Sequence, residues 1–275
     1  MKADKMDDQR ISEQVGQGLA ELVPDPDRPG SWTLRIDGVG QSYVDMEDPT
    51  FLAFEYAHRV AAVIEAVKPQ SVLHLGGGAM CLPRFIAATF PDARQVVVEH
   101  DELLLSFVNR VLPLPPGSRI DVLVSDARLV VESAPLEAFD LIIADVSEVA
   151  QMPPSVASME CAEEIAARLR PQGVYVVNVP DLPDLAFARR VAATLLRTFT
   201  DVCAVAEPVA VPGKRFANAV FAASTDFLPL EQLSQLAQRG PFAGKLMPHD
   251  GLVDFAYGAL PVTDATDVLL DEAGL

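Results

Sequence analysis

Three glycines and three acids, each placed where an apolar run ends, are the residues of this chain best able to do chemistry. Val72-Leu-His-Leu-Gly-Gly-Gly78 sets Gly76, Gly77 and Gly78 at the point where a buried strand should turn into a helix. Glycine lets the backbone turn sharply there, and without a Cβ a ligand can lie against the main chain. Glu99 closes the next run, Val96-Val-Val-Glu99. An acid at that place can accept two hydrogen bonds from vicinal ribose hydroxyls. Ser125-Asp-Ala127 follows a third run, and Asp126 there can accept from an adenine amino group. Asp145 follows Leu141-Ile-Ile-Ala144. Each of these also has a plain structural reading, as a tight turn, a polar strand end or a cap. What they share is an edge.

That edge follows from the elements between them. Strands are predicted at Ser71 to Leu75, Gln95 to Glu99, Ile120 to Val124, Phe139 to Ala144, Val174 to Val179, Val202 to Val209 and Ala217 to Ala223. Helical spacing predicts helices over Thr50 to Val67, Leu82 to Thr89, Glu102 to Val111, Ala127 to Ser133, Met159 to Leu169 and Leu185 to Thr198. Such alternation selects an α/β fold, a Rossmann-like, doubly wound, mostly parallel sheet with right-handed crossovers. The last two strands are spaced closely enough for an antiparallel final strand. Ligands of open α/β sheets bind along the edge formed by the carboxyl ends of the strands.

Ahead of this unit the period is that of strands. Leu19 to Val23 and Ser31 to Ile36 flank a turn-rich Pro24 to Gly30, and Asp37-Gly38 precedes Val39 to Val44. The organisation expected is a tail and small β hairpin element over 1–48, a nucleoside-binding catalytic unit over 49–225, and a C-terminal tail over 226–275 with a helix at Leu230 to Gln238. The opening dozen residues are expected to be frayed.

The chain has 275 residues, half of them hydrophobic, with a formal net charge of -18. That charge repels phosphate and anionic lipid, so neither nucleic acid nor a membrane is an expected partner. The first fifteen residues are charged and polar, and no apolar stretch is long enough to span a bilayer. Three widely spaced cysteines suit buried thiols rather than a disulfide framework. The expectation is a cytoplasmic protein. His58, His74, His100 and His249 lack the spacing of a metal site, and none is expected.

Taken in order, Ile36-Asp-Gly-Val-Gly-Gln41, Leu75-Gly-Gly-Gly78, Val98-Glu-His-Asp101, Ser125-Asp-Ala127, Phe139-Asp-Leu-Ile-Ile-Ala-Asp-Val-Ser-Glu148 and Leu169-Arg-Pro-Gln-Gly173 resemble the spermidine synthase (polyamine aminopropyltransferase) family. The resemblance runs from about Ile36 to Ala223. It implies that decarboxylated S-adenosylmethionine is the co-substrate and an amine the acceptor, with methylthioadenosine released. It further implies that Gln41 touches the nucleoside, Glu99 the ribose and Asp126 the adenine beside Ala127. Asp145 would orient and deprotonate the amine, with Glu148 as a second acid, and the assembly would be a homodimer.

The chain also departs from that family. The Asp-Gly-Gly that usually follows the three glycines, whose acid holds the aminopropyl ammonium, is here Ala79, Met80 and Cys81. The family's Tyr-Gln/His-Glu element is reduced to Phe54-Glu55-Tyr56. Two alternatives therefore stand beside the aminopropyltransferase: a nucleoside-binding relative without catalysis, and an S-adenosylmethionine-dependent methyltransferase. His249 and Tyr257 are further groove candidates in the tail.

Overall fold

The computed structural model describes residues 10–146, 152–206 and 217–265. It opens with an antiparallel meander, β1 (Ile11–Val15), β2 (Gly18–Pro24), β3 (Ser31–Ile36) and β4 (Val39–Asp45), paired in that order. Asp37 and Gly38 make the two-residue β3–β4 turn with φ of 48° and 79°. Positive φ at both positions is what a tight right-twisted hairpin requires. Strand β1 lies partly within the dozen residues expected to fray. Its Ile-Ser-Glu-Gln-Val sequence carries little apolar signal, but Val15 is buried with Ala20, Leu22, Leu34, Ile36 and Val44 against α3.

The central sheet comprises β5 (Ser71–Leu75), β6 (Arg94–Glu99), β7 (Ile120–Val124), β8 (Phe139–Ala144), β9 (Leu169–Asp181), β10 (Asp201–Ala206), β11 (Ala217–Ser224) and β12 (Lys245–Met247). Their order is β12-β10-β11-β9-β8-β5-β6-β7. Strands β5 to β9 pair in parallel, while β11 runs antiparallel between β9 and β10. This is the Rossmann-like sheet with an antiparallel last strand that the alternation predicts. β12 is an addition, from a tail expected to be irregular.

Helices cover both faces. One layer contains α1 (Glu55–Val67), α2 (Cys81–Thr89) and α8 (Leu230–Ala237). The other contains α4 (Ala127–Ser133), α5 (Pro154–Ala157), α6 (Met159–Arg168), α7 (Ala186–Thr198) and α9 (His249–Phe255). Helix α3 (Glu102–Val111) packs against the N-terminal meander. Helix α1 starts five residues later than its periodicity predicts. The preceding residues are committed elsewhere: Thr50 bonds Asp48, the Phe51 ring lies under the Arg28 guanidinium, and the Leu52 carbonyl meets His58 Nε2.

Strand β5 is the pivot of the fold. β6 lies on one side of it and β8 on the other, so the crossovers depart in opposite directions. A crevice opens at such a switch point, outside the carboxyl ends of the strands.

Candidate active site

A cavity of about 630 Å³ occupies this crevice. Gln41, Gly76, Gly77, Gly78, Glu99, Asp126, Ala127 and Asp145 all line it. The strand ends thus converge as the sequence predicts.

The glycine loop is pressed between two strands. Gly76 N donates to Val98 O at 2.9 Å, and Gly76 has a φ of 95°. A Cβ placed on it would lie 2.4 Å from the carbonyl oxygen of Asp145. Only glycine lets the end of β5 pass this close to the end of β8. Glu99, 6% exposed, pins the loop from the other side. Its Oε2 accepts from Gly77 N at 3.1 Å and Gly78 N at 3.2 Å, and its Oε1 accepts from Asp101 N at 3.1 Å. Asp101 in turn caps α3 through Leu104 N and accepts from Gln17 N, which ties the β1–β2 turn to the cavity rim. Asp126 is exposed and caps α4, its Oδ1 accepting from Leu129 N at 2.9 Å. That leaves the carboxylate at the mouth, beside Ala127, Pro153 and Val156.

The deep end is different in kind. Asp145 Oδ1 accepts from Asn178 Nδ2 at 2.9 Å, while the Tyr56 hydroxyl donates to Gln41 O at 3.4 Å. Burial pushes the Asp145 carboxyl above its ordinary range, against the opposing influence of the Asn178 amide and the Tyr56 hydroxyl. Tyr56 is itself raised well above normal, by burial first and by the Asp145 charge second. Burial pushes the Cys81 thiol up to about 11, with a Ser42 hydrogen bond working the other way. His74, bonded to Gln95 at 2.9 Å, is held down to about 4 by burial and so is neutral. Among the described residues, the lining includes four acids, Glu55, Glu99, Asp126 and Asp145, and neither lysine nor arginine.

No protein-family model matches the sequence. Over 139 residues the chain is 26% identical to a polyamine aminopropyltransferase of Vibrio vulnificus, an alignment covering 50% of this chain and 46% of that protein. The chain thus matches about half the length of this curated relative. A probable spermidine synthase from Corynebacterium glutamicum superposes with a TM-score of 0.83 at 28% identity, covering 92% of this chain and 96% of the other. The resemblance is to spermidine synthases. Human methyltransferase-like protein 13, in complex with SAH, shares the fold alone, with a TM-score of 0.53, 20% identity, and coverage of 80% and 100%.

Several positions differ from the spermidine synthase expectations. Ala79 is 0% exposed and packs among Leu34, Ile36, Val44 and Leu104 rather than on the cavity. The position expected to carry an acid is filled with hydrocarbon. Glu55 and Tyr56 both line the cavity, so the reduced Phe54-Glu55-Tyr56 element does reach it. Glu148 lies outside the described residues. Tyr257 is 89% exposed, and neither it nor His249 is among the lining residues. Sequence reasoning missed Asn178, Ser42 and Phe242. Asn178 did carry a signal, as the one polar side chain in the run Val174 to Val179; Phe242 sits in a loop with no periodicity to mark it. Among the described residues no cluster of three His, Cys, Asp or Glu could hold a metal, and no helix is long and apolar enough to cross a membrane.

Proposed function

We propose that this protein transfers an aminopropyl group from decarboxylated S-adenosylmethionine to an amine, releasing methylthioadenosine. The observation that carries the reading is Asp145: a half-buried carboxylate lining the same cavity as the glycine loop, Glu99 and Asp126. Gly76 to Gly78 admit the nucleoside against the main chain, Glu99 faces the ribose hydroxyls, and Asp126 meets the adenine amino group beside Ala127. Gln41 on β4 covers the nucleoside from the N-terminal meander.

The chemistry is a displacement at carbon. The amine nitrogen forms a bond to the methylene beside the sulfonium, the C–S bond breaks, and its electron pair stays on sulfur. The thioether leaves neutral, so no acid is needed. The nucleophile must shed a proton, because an aliphatic ammonium has a pKa of about 10.4. Asp145 accepts that proton, and a carboxyl raised by burial is a stronger base than an ordinary one. Glu148 belongs to this proposal as a second acid toward the amine.

The four acids among the described lining residues favour a cationic donor over S-adenosylmethionine, whose carboxylate they would repel. A second reading, nucleoside binding without catalysis, is favoured by one observation: buried Ala79 supplies no acid for the aminopropyl ammonium. The loss of one charge-assisted hydrogen bond, about 1.5–3 kcal/mol, weakens donor binding by roughly one to two orders of magnitude. The division at 48 and 225, a cytoplasmic location and a homodimer complete the proposal.

Mass spectrometry with decarboxylated S-adenosylmethionine and a panel of diamines tests it. Methylthioadenosine is the expected product, and S-adenosylhomocysteine formed from S-adenosylmethionine would instead identify a methyltransferase. Calorimetric binding of methylthioadenosine without turnover of any amine selects the second reading.

A further inference from the structure

Strand β8 stops at Ala144, but β9 continues to Asp181 and is paired over that stretch by β11, with Asn218 opposite Pro180. Ala144 is opposite Val177, so Asn178 stands beside Asp145. Ile143, Val176 and Val220 pack under α1; Asp145, Asn178, Pro180 and Asn218, each an even number of residues away, face the same side. All four line the cavity, which therefore has a limb leaving Asp145 along the β9–β11 ribbon, away from the glycine loop of β5. Pro180 lies two residues beyond Asn178, about 7 Å at the rise of a strand. The limb is walled by hydrocarbon: Pro180, Ala53 and Phe54 ahead of α1, and Phe242, whose ring packs edge-on against His58 of α1 at 5.0 Å. Its acid, Glu55, has a cation behind it. Arg59 is 4% exposed, donates through Nη1 to Asn218 O at 3.2 Å, and holds Nη2 3.7 Å from Glu55 Oε2.

We infer that the acceptor is a monoamine with an apolar tail of about five or six carbons, rather than a diamine. The inference deepens the aminopropyl-transfer reading and rests on it for placing the attacking nitrogen at Asp145. A carbon chain with bonds of about 1.5 Å at about 111° advances roughly 1.25 Å per bond, so the limb takes about five or six carbons. In butane-1,4-diamine the second nitrogen lies five bonds from the first. It would bring an ammonium to the level of Pro180, among hydrocarbon and beside an acid whose charge Arg59 already balances. A methylene buried there instead strengthens binding by about fourfold. An ammonium left unpaired there weakens it by about 10- to 100-fold. The reaction is unchanged. The amine nitrogen bonds the methylene, the C–S pair stays on sulfur, and Asp145 takes one N–H proton, leaving a secondary amine whose tail remains in the limb.

The test uses the full chain with the straight-chain monoamines from butan-1-amine to octan-1-amine, beside butane-1,4-diamine. Binding is measured by calorimetry in the presence of methylthioadenosine, and methylthioadenosine release from decarboxylated S-adenosylmethionine is followed in parallel. Affinity should rise about fourfold per methylene up to hexan-1-amine and level off beyond it. Pentan-1-amine sets a methyl group where butane-1,4-diamine has its second ammonium, and should bind about 10- to 100-fold tighter. Phe242→Ala should flatten the last steps of the rise. Arg59→Met removes the cation behind Glu55 and should bring the diamine toward parity with pentan-1-amine. Thermal melts confirm that the variants fold, and if either does not, the wild-type series decides. A flat series, a diamine that binds as tightly as pentan-1-amine, a rise untouched by Phe242→Ala, or no binding of any amine would overturn the inference. Methylthioadenosine release with the diamine alone would overturn it while keeping the aminopropyl-transfer reading. A rising monoamine series without release would leave the apolar limb standing and remove that reading.

Discussion

Substituting Gly76 by alanine separates a backbone that merely prefers glycine from one that has room for nothing else. A side chain at a φ of 95° carries a conformational penalty of about 1–2 kcal/mol. The added Cβ would also sit 2.4 Å from the Asp145 carbonyl oxygen and 3.0 Å from its carbonyl carbon. Both atoms are backbone, held by the Asp145 N to Leu75 O bond of 2.9 Å, so relief requires moving β8 against β5. Overpacking of this kind costs about 1–3 kcal/mol, and the sum for Gly76→Ala is about 2–5 kcal/mol. Gly78→Ala is the control. Its φ of 50° carries a similar backbone penalty, but its Cβ would meet only Ser42 Cβ at 3.9 Å. A narrower unfolded ensemble returns about 0.4–1 kcal/mol to both variants. Urea unfolding followed by circular dichroism should therefore find Gly76→Ala about 1–3 kcal/mol less stable than Gly78→Ala, with the same dependence on denaturant. Methylthioadenosine release should fall further in Gly76→Ala, because the atom displaced belongs to Asp145. Equal stability of the two variants would refute the close approach of β5 and β8.

Ala79→Asp should not restore an ammonium site. It places a carboxylate among Leu34, Ile36, Val44 and Leu104, and a thermal melt should show a loss of several kcal/mol, as burial of an unpaired charge demands; unchanged stability with tighter binding of the donor would show that position 79 does reach the cavity. Tyr56→Phe removes a hydroxyl that lowers the Asp145 pKa, leaving burial less opposed. The acidic limb of the pH–rate profile should move to higher pH, and a shift the other way would contradict the assignment of Asp145 as base. Asp145→Asn tests the same group through stability. A carboxyl raised on folding is stabilising while protonated, and that contribution is lost as pH rises through its folded pKa. The variant should melt above wild type at neutral pH, with the gap closing in acid; a gap that widens in acid would reverse the sign. Cys81, pushed up to about 11, and Cys161 and Cys203, each up to about 12, should resist maleimide at pH 7.5 until the chain unfolds. Rapid labelling of Cys81 in the native protein would contradict its raised pKa.

The strand ends were legible because parallel strands of one sheet finish at one edge. Once the runs before Gly76, Glu99, Asp126 and Asp145 read as strands, their last residues had to meet, and the cavity they line follows from topology. What could not be read is what chain folding brings in from elsewhere. Strand β1 hides its single buried valine in a polar segment. Helix α1 has an apolar period that runs on through Phe51 to Phe54, and only tertiary contacts to Arg28 and His58 stop it at Glu55. β12 and α9 are too short to carry a period above noise. Ala79 was legible as a missing acid, but not as a residue facing away from the site, because its direction depends on how the N-terminal meander packs on α3.

The two ends of the cavity therefore differ in how freely they can change. The nucleoside end is made by the sheet itself: Glu99 holds the glycine loop that passes against Asp145, so altering any of these disturbs β5, β6 and β8 together. The amine end is assembled from separate segments, with Ser42 on β4, Tyr56 on α1, Asn178 on β9 and Phe242 from the tail. A side chain there can be exchanged without moving a strand, and each exchange resets charge or hydrogen-bond count at the nucleophile. Position 81, where the resemblance to spermidine synthases fails, lines the cavity, whereas position 79 packs against the meander and α3. Under the proposed transfer reaction, such a chain would keep its nucleoside while its amine is revised one residue at a time, so the identity of the amine is to be sought at Tyr56, Cys81 and Asn178 rather than in the glycine loop.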